Sequence, residues 1–238
     1  MNYYNIIETK CVQRVVMSSQ LLDISKSMKE IGLAALASAN RHAAFHDGSS
    51  PLMNELAIIQ AAHAAEIIFK SRIAEEHPLL IFDQLPEYKK GICNPLSIER
   101  LLDKGRTIDW NKIPTILWAT TGITMPDIDR FVSFGKLRNG LQHFGIMDKS
   151  KNALIETLEF VFKVVDPFIN NCWNLYAVDN NENTSSLFIS SLLLNNIDFL
   201  ISPSVIQYCE EWEKDLNGEG NFNQKELKRY ILARQLNN

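Results

Sequence analysis

The strongest constraint on this chain is the spacing of its apolar residues, which recur every three or four positions over long stretches and so specify helices. From about Leu21 to Phe45 the positions Leu22, Met28, Ile31, Leu33, Leu36 and Ala37 keep this rhythm, and Gly48 marks its end. A second helix opens near Pro51 and runs to about Glu75. Its alanines at 57, 61, 62, 64 and 65 favour helix and let a neighbouring helix approach closely. The stretch from His77 to Ser97 then carries three prolines and a glycine, which predicts a long irregular connection. Short helices follow over Ser97 to Lys104 and Ile113 to Ala119. Thr124 is the expected cap of a longer helix ending at Phe144, with Gly140 inside it. Asp148 or Ser150 is expected to cap a last long helix, Asn152 to about Tyr176, with Leu154, Leu158, Val161, Phe162, Val165 and Phe168 as its apolar stripe.

Four substantial helices joined by turns predict an all-α, up-and-down helical bundle with inserted short helices. The bundle is expected over residues 1–178, with its core at about 20–178. The polar run from Val178 to Ser186 reads as a linker, and residues 179–238 as a C-terminal helical extension holding helices near Pro203–Leu216 and Gln224–Leu236. Charges in the extension segregate, acidic around Glu210–Asp215 and basic around Lys225–Arg234, a pattern suited to packing or partner contact. No Gly-rich phosphate loop and no internal repeat is present.

A net charge of −4 argues against a broad polyanion-binding surface, yet a local groove can differ from the sum. Between Asp127 and Lys151 the basic residues Arg130, Lys136, Arg138, Lys149 and Lys151 outnumber Asp127, Asp129 and Asp148. Cys11, Cys93, Cys172 and Cys209 are widely spaced and form no CxxC pair, as expected for free thiols in a reducing cytoplasm. The N-terminal residues lack the pattern of a secretory signal, and the apolar run Leu187 to Ile201 is broken by Asn195, Asn196 and Asp198, so no membrane span is expected. Neither His42 and His46 with Glu30 nor any other group has a metal-ligand pattern, so no metal and no cofactor are expected. Trp110, Trp118, Trp173 and Trp212 read as core anchors.

The segment with most chemistry is Arg138-Asn139-Gly140-Leu141-Gln142-His143. It joins a permanent cation that can grip phosphate through a planar fork, an amide, and an imidazole able to exchange a proton near neutral pH. The pattern Arg, four residues, His also occurs at Arg41/His46 and Arg72/His77, but only Arg138 is followed directly by Asn. Asn139 lies four residues before His143 on the same helical face. Arg138 and His143 are five residues apart, about 140° around an ideal helix, a spacing that suits a groove between helices better than a tight pair.

A helical bundle carrying Arg-Asn-x-x-x-His on its penultimate long helix resembles the HEPN superfamily (higher eukaryotes and prokaryotes nucleotide-binding) over about residues 20–178. The stretch His63 to Lys70 is similar to that family's earlier helix, with Glu66 as the polar residue facing the groove. The resemblance implies a homodimeric endoribonuclease that needs no metal, found in toxin–antitoxin or anti-phage systems with an antitoxin or defence partner. It implies Arg138 and His143 as catalytic residues and Asn139 and Glu66 as groove supports. Lys136 and Arg130 are the candidate RNA contacts. Two other readings stay open: an inactive HEPN-like bundle that binds RNA, a nucleotide or a protein, and a helical interaction domain whose motif is coincidental. Arg138 could also serve as a simple ion-pair partner of Glu66.

Overall fold

The apolar rhythm becomes helix throughout the computed structural model, which describes residues 21, 23–45, 52–87, 96–147, 152–180, 186–215 and 222–235. The chain is all-α. Its helices are α1 (Ile24–Ala44), α2 (Met53–Glu76), α3 (Ile98–Lys104), α4 (Ile113–Thr121), α5 (Ile128–Phe144), α6 (Ala153–Phe160), α7 (Asp166–Trp173), α8 (Ser186–Leu194), α9 (Pro203–Asp215) and α10 (Phe222–Gln235). A π-helical turn, Val161–Val165, joins α6 to α7, with helical backbone at Phe160 and Asp166 on either side. Between α2 and α4 lie two short strands, β1 (Phe82–Gln84) and β2 (Arg106–Thr107), paired antiparallel.

Side-chain pairs fix the helix directions. Lys29 faces Glu75 and His42 faces Gln60, so α1 runs antiparallel to α2. Phe69 meets Phe131 and Glu66 meets Arg138, so α5 is also antiparallel to α2. Phe69 packs edge-on against Phe168 while the Trp173 indole N–H donates to Glu75, which makes α7 parallel to α2. Helix α2 is therefore the central element, and its composition explains this. Ala57, Ala61, Ala62, Ala64, Ala65, Ile68, Phe69, Ile73 and Ala74 are all buried, on more than one face. Small residues let three helices approach one axis. Gly32 of α1 has the same effect, because a Cβ there would lie 2.7 Å from Ile68 Cγ1.

Residues after 178 pack on this framework. The rings of Phe188 and Phe199 lie against Phe162 of the π turn, and Tyr230 of α10 stacks on Phe199. The Ser191 hydroxyl donates to the Ala44 carbonyl, and the Asn40 amide donates to the Ala177 carbonyl. One apolar core runs from α1 through α10.

Several local expectations need correction. The cap of α5 is Asp127, whose carboxylate accepts from the Arg130 N–H, rather than Thr124. The last long helix is capped by Asn152, which accepts from Leu154 and Ile155, and it stops at Trp173, where Asn174 turns left-handed at φ 54°. Trp118 is no core anchor: it is 60% exposed, because Ile113 and Leu117 define the inward face of α4 and the next position points away. Gly48, Asp148, Ser150, His46, Cys11, Cys93, most of the polar run at 181–185 and the side chains of Trp212, Lys225 and Arg234 lie outside the described residues. Among the described residues, no helix is long and apolar enough to cross a membrane.

Candidate functional site

Helix α5 carries the Arg-Asn-x-x-x-His segment on its last two turns, and glycines at 135, 140 and 145 shape that end. Gly135 is buried against Trp110, and a Cβ there would meet the indole Nε1 at 2.4 Å. The indole therefore lies on the helix backbone, stacked on Phe131 with ring centroids 4.3 Å apart. Gly145 ends the helix in the left-handed region at φ 63°, its N–H bonding the Leu141 carbonyl while the Ile146 N–H bonds Gly140. This return brings the Ile146 carbonyl to 3.0 Å from where a Cβ of residue 140 would stand. The close neighbour of Gly140 is thus the chain's own backbone, in a left-handed helix stop.

Arg138 projects from α5 toward α2. Its Nη2 lies 3.6 Å from Glu66 Oε2, and its Nη1 donates to Gln142 Oε1 at 3.0 Å. The guanidinium carbon sits 5.3 Å from the Trp110 ring centroid, a cation–π distance. The Glu66 carboxylate has a closer partner, since Lys70 donates to its Oε1 at 2.6 Å and also to the Thr107 hydroxyl at 3.2 Å. Lys70 is only 5% exposed, whereas the Arg138 side chain remains 18% exposed. Two donors in this cluster, Arg138 Nε and Trp110 Nε1, are buried without a hydrogen-bond partner.

The structure thus brings Arg138 and Glu66 together, and it does not bring His143 to them. Asn139 and His143 lie on the exposed side of α5 with Lys136. Phe144 and Ile146 beside them are 75% and 68% exposed, an apolar edge at the helix end. Arg130 is engaged elsewhere: its guanidinium reaches Glu156 at 3.3 Å and Glu159 at 2.5 Å, tying α5 to α6. Burial pushes the Glu159 carboxyl up, but the Lys163 and Arg130 cations outweigh it and hold the carboxyl below its usual range. No family model matches this sequence, and no curated protein or solved structure is significantly similar to it. Among the described residues no group of three or more His, Cys, Asp or Glu is placed to hold a metal ion.

Sequence reasoning missed Lys70, Thr107 and Gln142 as members of the cluster. Lys70 left a readable signal, standing four residues after Glu66 in a helix. Its burial left none, because that depends on Thr107 arriving from the connection between α2 and α4. Chemically, the arrangement offers a guanidinium held by packing and by one loose ion pair. An exposed imidazole stands on the adjacent face. Such a pair can bind a phosphate and exchange a proton beside it.

Proposed function

We propose that this chain is a HEPN-type endoribonuclease that requires no metal, acting as a homodimer in a toxin or anti-phage role. The observation that carries the reading is the shared location of Arg138 and His143: both stand on the last two turns of α5, one fixed and one exposed. RNA supplies its own nucleophile, the ribose 2′-hydroxyl. His143 takes the proton from that hydroxyl as its oxygen bonds to phosphorus. Arg138 stabilises the charge that builds on the non-bridging oxygens. The bond from phosphorus to the 5′-oxygen breaks, that oxygen gains a proton, and the products are a 2′,3′-cyclic phosphate and a 5′-hydroxyl. One imidazole cannot serve both sides of an in-line displacement, so a second copy related by a twofold supplies the acid. Asn139, one turn before His143, orients the ring within the dimer, and Lys136 contacts the backbone of the RNA.

The test is cleavage of single-stranded RNA in excess EDTA, with the 3′ ends analysed chemically. Wild type is expected to leave cyclic phosphate ends, and His143→Ala and Arg138→Ala are each expected to lose at least about 100-fold in rate. Cleavage that persists in both variants removes the reading. One observation favours a second one: Glu66 and Gln142 already engage Arg138. An inactive bundle that binds RNA predicts retention of RNA by the wild type with no cleavage at all.

A further inference from the structure

The ion cluster beneath α5 has an unequal division of contacts. Glu66 is shared by two cations, but Lys70 approaches at hydrogen-bond distance, 2.6 Å, and Arg138 only at 3.6 Å. Lys70 is nearly inaccessible and has a second partner in Thr107 of β2, so its position is set from two sides. Arg138 is held mainly by the Trp110 face and by Gln142, and its Nε finds no acceptor. A carboxylate satisfied by a buried ammonium makes a weaker claim on a second cation, because each added donor gains less from a charge already neutralised.

We infer that Lys70 is a positioning residue for Arg138: by holding the Glu66 carboxylate, it leaves the Arg138 guanidinium with donors free for a phosphate oxygen. The inference deepens the proposed function but rests only on its phosphate-binding half, not on cleavage. Formal charges sharpen it. Lys70, Arg138 and Glu66 together carry +1, from two cations and one anion. Removing the Lys70 charge leaves zero, and Glu66 then turns both oxygens toward Arg138. Removing the Glu66 charge as well returns the cluster to +1 and frees the guanidinium.

The experiment follows the Arg138 Nε–H signal by nitrogen–proton NMR, assigned by its loss in Arg138→Lys, during titration with inorganic phosphate. Sodium chloride at matched ionic strength is the control. Wild type is expected to show a saturable shift with phosphate and none with chloride. Lys70→Met is expected to bind phosphate about tenfold more weakly, the scale of one charge-assisted hydrogen bond. The double variant Lys70→Met/Glu66→Gln is expected to return to within about threefold of wild type, because net charge and free donors are both restored. A lysine that merely stabilised the fold would leave the phosphate affinity of the folded Lys70→Met chain equal to that of the wild type, since only the folded population would change. Should Lys70→Met unfold the chain, Lys70→Gln, whose amide can still donate to Thr107, carries the same expectation. An Arg138 signal indifferent to phosphate in the wild type, a Lys70→Met titration equal to wild type, or a double variant no better than the single one overturns the inference. Phosphate binding with the expected rescue but no RNA cleavage would leave it standing and remove the nuclease reading instead.

Discussion

Asp166 gives the molecule an unusual dependence on pH. It opens α7 just after the π turn and is fully buried, with one carboxylate oxygen accepting from the Ala177 N–H at 2.8 Å and the other from the Leu200 N–H at 3.0 Å. One side chain thus ties the turn after α7 and the segment after α8 to the bundle. Burial pushes its carboxyl up from 3.8 to about 6, against the pull of the two backbone donors, and nearby Asp179 adds to the rise. Because the folded value lies above the unfolded one, the native chain keeps a proton between those values that the unfolded chain has released. This contribution to stability is therefore complete below pH 3.8, falls as pH rises through the window, and is lost above about 6. A shift of this size corresponds to about 3 kcal/mol in all, of which about 1.3 kcal/mol is recovered on going from pH 7 to pH 5. Asp166→Asn removes the titration. It also turns an amide donor toward one of the two N–H groups, at a cost of about 1–3 kcal/mol, while relieving a buried charge of similar cost at pH 7. The two proteins should therefore be close in stability at pH 7, and wild type should gain on the variant by about 1.3 kcal/mol at pH 5. Urea denaturation followed by tryptophan fluorescence at pH 5, 6 and 7 measures this, and titrating groups that do not interact with Asp166 cancel in the difference. A gap that stays constant, or that widens in favour of wild type as pH rises, refutes the reasoning.

Two other substitutions probe the helix that carries the motif. Gly135→Ala gains about 1 kcal/mol of helix propensity but places a methyl against an indole that cannot retreat from Phe131, at about 1–3 kcal/mol. A lower urea midpoint and an altered Trp110 emission are expected, and a stabilised variant would show that the ring moves freely. Arg130→Gln strips the cation from Glu156 and Glu159, all three partly buried, and should cost about 1–2 kcal/mol at pH 7. Since Arg130 helps hold the Glu159 carboxyl low, the variant should also lose less stability than wild type between pH 7 and pH 4; equal losses would count against the ion pair.

What the sequence made legible follows from how local each signal is. The helices were readable because a 3.6-residue rhythm needs no partner, and the alanines of α2 announced a helix that a neighbour approaches closely, though not that it is buried on more than one face. Caps were less legible. Asp127 and Asn152 won over Thr124 and the pair Asp148/Ser150 through side-chain bonds to N–H groups two or three residues ahead, which any of these residues could have made. The site was legible in part. The grouping of Arg138 with Glu66 was open to sequence reasoning, because both residues stood out on helices expected to pack. The inclusion of Thr107 and Trp110 was not, since a connection rich in proline gives no periodicity from which to place a strand or a 3-10 turn. Arg130 shows another difficulty: the acids that engage it stand 26 and 29 positions later in sequence, so its ion pairs with α6 could not be read from its own neighbourhood.

The unequal surroundings of Arg138 and His143 bear on what such a pair can do. Electrostatic stabilisation gains most from a group that is already in place, since a fixed dipole or charge needs no reorganisation as the reaction proceeds. Arg138, clasped between Trp110, Gln142 and Glu66, meets that condition within one chain. A proton-transfer group has a smaller requirement. Ordering one exposed side chain costs about 0.5–1.5 kcal/mol, whereas general acid–base catalysis contributes roughly 100- to 10,000-fold, or about 3–5 kcal/mol. An imidazole free in the isolated chain can thus be ordered on assembly with most of its catalytic value intact. Phe144 and Ile146 beside it are exposed, and in the proposed dimer covering them would release water in the same step that restricts His143. On the proposed reading, a guanidinium fixed within the chain and an imidazole ordered on assembly need not touch in the isolated chain.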